Sequence, residues 1–268
     1  SFVDQHVWQA TARFLMSELG LEGPCYVIST ACSSSSKALA SAQRLIASGI
    51  CDAVLTGGVD SLCRLTLNGF HSLGIMSGHP CTPLDKNRSG ISLGEGAGML
   101  LLEKSTAASS GCVHLLGCGE SSDAYHMTAP HPDGKGAILA MQSALTQAGR
   151  SALEIDYVNL HATGTILNDR AEMLATESVF GSTISCGGTK GLIGHTLGAA
   201  GGIETIITWL SLKYGFRPGT CNLQQLDDEF HCIVNHNSET NVPVMTTMNN
   251  NFGFGGNNTS VVLGYLHD

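Results

Sequence analysis

Lysine and arginine are few in this chain, 13 among 268 residues, and they are dispersed along it. With a net charge of −9 there is no basic cluster of the kind that neutralises a phosphate backbone, which argues against nucleic acid as a main partner. A local basic patch for an acidic protein partner remains compatible with that balance. No run of about 18 uncharged apolar residues occurs, so no transmembrane helix is expected. The opening SFVDQHVWQATARF lacks a basic start followed by an apolar run, so no signal peptide is expected. Ten cysteines are present, but no CxxC spacing, and the chain is neither short nor cysteine-dense. Cys51, Cys112 and Cys118 sit among apolar or glycine residues and read as small buried hydrophobes. The expectation is a soluble protein of the reducing cytoplasm, without a membrane partner. Low-complexity segments and tandem repeats are absent too.

What is present is an alternation of strand-like and helix-like segments. Aromatics make up only 6% of the chain while glycine numbers 33, often beside Ala or Ser, which points to closely packed helices and sheets. Tyr26–Ser29 reads as a strand, and Ser34–Ala47 as a helix with Ala38, Leu39, Ala42, Leu45 and Ile46 along one face. Gly49 stops it. Ala53–Thr56 is a short buried strand, and Ser92–Glu103 and Val113–Glu120 read as two strands paired with each other. A helix over Gly136–Gly149 precedes a strand over Tyr157–His161. Asp169 and Glu172 have the spacing of a capping box that opens a further helix. Gly198–Tyr214 is a nearly all-apolar helix, and Met245–Leu266 reads as strand, glycine loop, strand. This order implies an α/β fold of layered sheets, with a weak compositional signal for a boundary at Ser105–Gly111, small and polar between two strands.

One cysteine stands at the joint between two of these patterns, in STACSSSSKALASAQ. Cys32 there meets the unpaired N–H groups and positive dipole end of a helix, which favour thiolate and predict a lowered pKa. The same elbow logic exposes nucleophilic serines in hydrolases. On position alone the plainer alternative, a buried core cysteine with capping serines, stays open. Three more segments carry chemistry. Leu160-His161-Ala162-Thr163-Gly164-Thr165 puts a histidine at a strand end before two hydroxyls. Thr189-Lys190-Gly191-Leu192-Ile193-Gly194-His195 leads through glycines into the apolar helix. Phe252-Gly253-Phe254-Gly255-Gly256-Asn257 is a glycine loop holding two phenylalanines. A zinc site of Cys32, His161 and His195 is conceivable from residue types, yet no short-range ligand pair supports it and no metal is expected.

Taken in order, these segments resemble the β-ketoacyl synthases, in the branch with a Cys-His-His active site. Thr30-Ala31-Cys32-Ser33-Ser34 is similar to the family's nucleophile motif, His161 to Thr165 to its first histidine motif, and Lys190 to Gly201 to its second. Phe252 to Asn257 is similar to its C-terminal loop. Ser121 to Thr128 and Gly94 to Met99 are secondary matches, and the likeness runs from about Pro24 to the end. Two positions depart from the family pattern: Ala162 stands where glycine is usual, and Gly164 where serine is. Only 31 residues precede Cys32, far fewer than in family members. The resemblance implies a duplicated thiolase-like layered α/β/α/β/α fold with its first half incomplete. It places the nucleophile half in 1–108 and the half carrying both histidines in 109–268.

The implied reaction is a decarboxylative Claisen condensation of a Cys32-bound acyl group with malonyl-acyl carrier protein, in fatty acid or polyketide synthesis. In it Cys32 takes the acyl group, and His161 and His195 stabilise the enolate oxygen. Lys190 organises the histidines, with Glu204 as its buried counter-charge. Backbone N–H groups of Cys32 and Phe254 form an oxyanion hole, and Phe254 also gates an acyl pocket lined by Phe70. Thr163 and Thr165 bond the phosphopantetheine arm. No cofactor is implied beyond that arm, which the carrier brings. Acyl carrier protein is the implied partner, with a homodimer or a ketosynthase heterodimer as the assembly. Two rivals are a partner-dependent or inactive ketosynthase subunit or fragment, and a coenzyme A-dependent thiolase-like enzyme. Both commonly replace residues that this chain keeps, the former its nucleophile and the latter its second histidine.

Overall fold

The computed structural model describes residues 7–105 and 111–266. In chain order its helices and strands are α1 (Ala10–Glu18), α2 (Ser34–Ala47), β1 (Ala53–Asp60), α3 (Arg64–Ser72), β2 (Gly96–Glu103), β3 (His114–Ser122) and α4 (Lys135–Ala148). There follow β4 (Tyr157–Asn159), α5 (Ile166–Phe180), β5 (Ser185–Gly187), the single-turn α6 (Lys190–Ile193), α7 (Ala200–Tyr214) and β6 (Phe216–Arg217). The last strands are β7 (Ile233–Val234), β8 (Glu239–Thr240), β9 (Thr246–Gly253) and β10 (Asn257–Gly264).

Six strands form one sheet in the order β3-β10-β9-β4-β5-β7. Its β3, β10 and β9 run antiparallel, while β9, β4, β5 and β7 run parallel. Strands β1 and β2 make a separate antiparallel pair. Helix α4 covers one face of the large sheet at β3 and β10. Helices α2 and α7 lie between the two sheets, with α7 touching β9 on one side and β1 and β2 on the other. The result is the layered α/β arrangement of the expected thiolase-like fold. Leu39, Met141, Leu160 and Met248 are fully buried between the layers, each contributing about 1.5–3 kcal/mol of apolar burial.

Close packing between layers depends on missing side chains. A Cβ on Gly98 would lie 2.6 Å from the amide of Ile203, and one on Gly202 would lie 2.6 Å from the Gly98 carbonyl. Strand β2 and helix α7 therefore touch backbone to backbone, which brings the residues just before α7 up to the joint that carries Cys32.

Several sequence expectations need correcting. Tyr26–Ser29 is not a strand: among the described residues no neighbouring strand offers it a ladder, and Tyr26 and Val27 stay exposed. A strand exists only when its backbone groups find partners. The segments around Ser92–Glu103 and Val113–Glu120 do form strands, but β2 pairs with β1 and β3 pairs with β10, so they belong to different sheets. Asp169 and Glu172 are not a capping box either. Helix α5 starts three residues before Asp169, with Thr165 at its N-cap, and both carboxylates are buried. Cys118 is buried as expected, but Cys51 is half-buried and Cys112 exposed. The expected division between 108 and 109, like most of the Ser105–Gly111 segment, falls outside the described residues.

Candidate active site

Cys32 sits one residue before the N-cap of α2, not in its first turn, because Ser33 occupies the cap. The joint is tight. Ala31 adopts a left-handed φ of 53°, a conformation that strains a side-chain-bearing residue by about 1–3 kcal/mol. The serines hold it. Ser33 Oγ donates to the Thr30 carbonyl at 2.8 Å, Ser34 Oγ donates to the Ala31 carbonyl at 2.6 Å, and Thr30 N–H donates back to Ser34 Oγ at 2.9 Å. The next two serines fasten α2 to its neighbours: Ser35 Oγ accepts from Gly202 N–H at 2.9 Å, and Ser36 Oγ donates to Asn251 Oδ1 at 2.5 Å.

Both histidines come to this joint. His195 is held between two backbone bonds, its N–H to the Ser92 carbonyl at 2.7 Å and its carbonyl from Gly94 N–H at 3.0 Å. Its Nε2 lies 3.0 Å from Cys32 Sγ. The His161 ring stands edge-on to the His195 ring, centroids 5.2 Å apart. The protons are assignable from the opposite ring nitrogens. Leu197 N–H donates to His195 Nδ1 at 3.3 Å, and Lys190 Nζ approaches His161 Nδ1 at 3.2 Å. An ammonium only donates, so in both neutral rings Nε2 carries the hydrogen. Burial and the Lys190 charge hold both imidazoles well below the ordinary histidine pKa, with His195 adding to the depression at His161. They are neutral N–H donors at neutral pH.

Lys190 is 1% exposed and pairs with the wholly buried Glu204, Nζ to Oε1 at 2.5 Å. Burial raises the Glu204 carboxyl, opposed by Lys190 and by the Asn251 amide, which donates to Oε2 at 2.6 Å. The pair stands behind the histidines, away from the cavity. Cys32, His161, His195, Phe70, Phe254, Thr163 and Thr165 all line a cavity of about 250 Å³. The Phe70 and Phe254 rings stack with centroids 5.7 Å apart. The two threonine hydroxyls bond each other at 2.9 Å. Every side chain singled out from the sequence is thus in the site or directly behind it.

The expected thiol acidity is overturned. Burial pushes the Cys32 pKa up to about 11, outweighing Lys190 and the backbone N–H groups of Phe254 and Cys32 itself, all of which pull it down. The helix-end argument named real donors but omitted desolvation, which is the larger effect in a closed pocket. Those two N–H groups nonetheless face the sulfur together. The ligand atoms of Cys32, His161 and His195 lie within 4.8 Å of one another, so the residue types for a metal converge here. The facing nitrogens already carry their hydrogens, which suits donation to an oxygen better than ligation.

Sequence reasoning missed the supports of the first histidine loop. Glu172 accepts the N–H groups of His161 and Ala162, both at 2.7 Å, while burial still raises its carboxyl to about 8. Asp169 accepts Gly164 N–H at 3.2 Å and Leu84 N–H at 2.9 Å. Arg88 lies beside Asp169 and binds Asp227 at 2.6 Å. The signal for Glu172 and Asp169 was present, two acids early in a helix, but helix capping was the wrong reason for it.

Ala162, in the place usual for glycine, takes a left-handed φ of 33°. Its methyl group fits because residue 188 has none: a Cβ on Gly188 would lie 2.5 Å from Ala162 Cβ. Gly188→Ala should therefore lower stability by about 1–3 kcal/mol, and Ala162→Gly should restore much of it in the double variant. Thermal melting of the four proteins checks this; simple additivity would refute the contact.

Two family models match in tandem: the N-terminal domain of beta-ketoacyl synthases over residues 5–108 and the C-terminal domain over residues 113–224. A 3-oxoacyl-[acyl-carrier-protein] synthase 2 of Rhizobium meliloti is 38% identical, the match covering 91% of this chain and 61% of that protein. A mitochondrial 3-oxoacyl-[acyl-carrier-protein] synthase of Arabidopsis thaliana is 37% identical over 97% of this chain and 60% of its own length. Among solved structures, a ketosynthase in complex with its chain length factor from Xenorhabdus doucetiae superposes with a TM-score of 0.93 at 44% identity, covering 98% of this chain and 65% of that one. A type II ketosynthase in complex with its acyl-carrier protein, bound to a hexaketide, gives 0.92 at 27% identity, covering 99% and 69%. The chain spans about three-fifths of the length of these two curated relatives. With the motifs in order, the layered fold and both family models agreeing, the chain belongs to the β-ketoacyl synthase family.

Proposed function

We propose that this chain carries the active centre of a β-ketoacyl-acyl carrier protein synthase. The observation that carries the reading is the convergence of one thiol, two Nε2–H imidazoles and two backbone N–H donors on a single cavity. In the first half-reaction Cys32 Sγ bonds to the carbonyl carbon of a carrier thioester. The carbonyl oxygen takes up negative charge facing the N–H groups of Cys32 and Phe254. The carrier C–S bond then breaks, and the thiol proton of Cys32 leaves with the carrier thiol. A thiol that is neutral at rest suits this exchange, because the proton it loses is the one its leaving group needs.

In the second half-reaction malonyl-carrier loses carbon dioxide, and the electron pair of that C–C bond becomes an enolate. Its oxygen accepts hydrogen bonds from His161 and His195. The enolate carbon attacks the Cys32 thioester, the C–S bond breaks, the sulfur leaves as thiolate and takes a proton from solvent, and a 3-oxoacyl-carrier results. The residues provide these steps without metal or redox chemistry in the scheme, and the phosphopantetheine arm would pass Thr163 and Thr165. Acyl carrier protein and a second ketosynthase-type chain are the proposed partners, in line with the complexes formed by the neighbours named above. The exposed Tyr26–Val27 segment, lacking a ladder partner among the described residues, is the edge that we assign to a homo- or heterodimer. Ten free cysteines suit a reducing, cytoplasmic setting, and no described helix is long and apolar enough to cross a membrane.

The test is acylation. Incubated with an acyl-carrier thioester, the chain should gain one acyl mass located on the Cys32 peptide, and Cys32→Ala should gain none. Self-acylation that persists in Cys32→Ala would end the nucleophile assignment.

A further inference from the structure

The glycine loop that carries Phe254 has little stiffness of its own. Gly253 and Gly255 flank the phenylalanine, and Gly255 takes a left-handed φ of 78°. One side of the loop is tied to the Asp123–Met127 segment, by Gly255 N–H to the Met127 carbonyl at 2.7 Å and by Asp123 N–H to the Gly256 carbonyl at 2.9 Å. The other side is tied to helix α2. Lys37, five residues after the nucleophile and half-buried, donates from Nζ to Asn257 Oδ1 at 3.2 Å. The amide nitrogen of Asn257 reaches back to the Phe254 carbonyl at 3.4 Å. Among the described residues Lys37 meets no carboxylate at ion-pair distance, so Asn257 is its polar partner.

We infer that Lys37 is a positioning residue which, through Asn257, clamps the carbonyl of Phe254 and so keeps the Phe254 N–H aimed at Cys32 Sγ. The carbonyl and the N–H flank one Cα, so fixing the first limits rotation of the second. The clamp starts on the same helix that fixes the nucleophile, which gives sulfur and N–H donor a common anchor. Its catalytic consequence, a better-formed oxyanion hole during acyl transfer, rests on the proposed function; the geometry does not.

The Phe254 N–H is one of the groups that draw the Cys32 thiol down from the value burial alone would give. Alkylation of Cys32 therefore reports the clamp without any turnover. The other groups facing the sulfur, His195 and His161 with Lys190 and Glu204 behind them, are unchanged in the variants chosen. The experiment follows iodoacetamide labelling of each cysteine peptide by mass spectrometry across alkaline pH, with exposed Cys63 as the internal control. Lys37→Met and Asn257→Ala should both move the Cys32 profile to higher pH, slowing labelling at a fixed pH by about threefold to tenfold. Lys37→Arg should behave as the parent, and Cys63 should not change. If Asn257→Ala melts early, Asn257→Thr is read instead, since it keeps a polar side chain there while its hydroxyl, one bond nearer the backbone, falls short of both Lys37 and the Phe254 carbonyl.

A Cys32 profile unmoved in the Asn257 variant overturns the clamp, even if Lys37→Met shifts, because the lysine would then act by charge alone. A parent Cys32 that alkylates as described yet accepts no acyl group from a carrier thioester would instead sink the proposed function and leave the clamp standing.

Discussion

Glu204→Ala should unfold more easily than the parent by about 3–5 kcal/mol, because it strands the Lys190 ammonium in the core without its anion. The converse change is milder. Lys190→Met leaves a carboxyl that burial already pushes toward its protonated form, so Glu204 can take up a proton and shed its charge. The sign of the pH dependence follows. With Lys190 gone, the folded state of that variant binds a proton that the unfolded state gives up above the ordinary glutamate range. Its stability should therefore fall as pH rises, a slope less marked in the parent. The double variant Lys190→Met/Glu204→Leu removes both charges and should regain most of the loss, but it also removes the donor that holds His161 Nδ1. Urea melts at several pH values check the order. A Glu204→Ala midpoint equal to that of the parent would mean that the pair is neither charged nor structural.

How much of this could be read beforehand varied with the range of the contact. Helix α2 was legible to the residue, since its apolar face and terminal glycine are local features. The chain order of Cys32, His161, Lys190, His195 and Phe254 was legible only through the family likeness. Nothing within a few residues of His161 announces a thiol 129 positions earlier. What escaped was decided by long-range pairing and by desolvation. β2 and β3 each have a strand's composition, and no local feature says that their partners are β1 and β10. Tyr26–Ser29 has a strand's composition as well, but composition cannot supply a neighbour. Glu172 looked like an N-terminal helix acid because two acids at that spacing usually are, whereas here its carboxylate turns inward to the His161 loop. The thiol's acidity was misjudged for a related reason: donors near a helix end can be read from a motif, but the closure of the pocket above them cannot.

On the proposed function, loss of either histidine should separate the two half-reactions. His161→Ala and His195→Ala should each slow malonyl decarboxylation by about 10²–10³-fold, the usual loss when a preorganised donor to a developing oxyanion is removed. Acyl transfer to Cys32 should survive in both, because its oxygen charge is taken by backbone N–H groups. It should suffer more in His195→Ala, whose ring touches the sulfur at 3.0 Å. His195→Asn keeps an N–H donor and should retain more decarboxylation than alanine does. The pH profile separates this role from that of a charged imidazolium. Both rings have folded-state pKa values well below 6.5, so neither imidazole titrates between about pH 8 and pH 6.5, and a change of the parent's decarboxylation rate near pH 8 should follow Glu172, whose carboxyl is raised to about 8, and be lost in Glu172→Gln. As pH falls below 6.5 the unfolded chain binds protons that the folded rings refuse, so these two groups withdraw stability, and activity should fall with melting rather than ahead of it. A decarboxylation rate that rises on acidification through 6.5 in a folded protein would identify imidazolium as the active form. Equal loss of both half-reactions in the two alanine variants would contradict the division of roles itself.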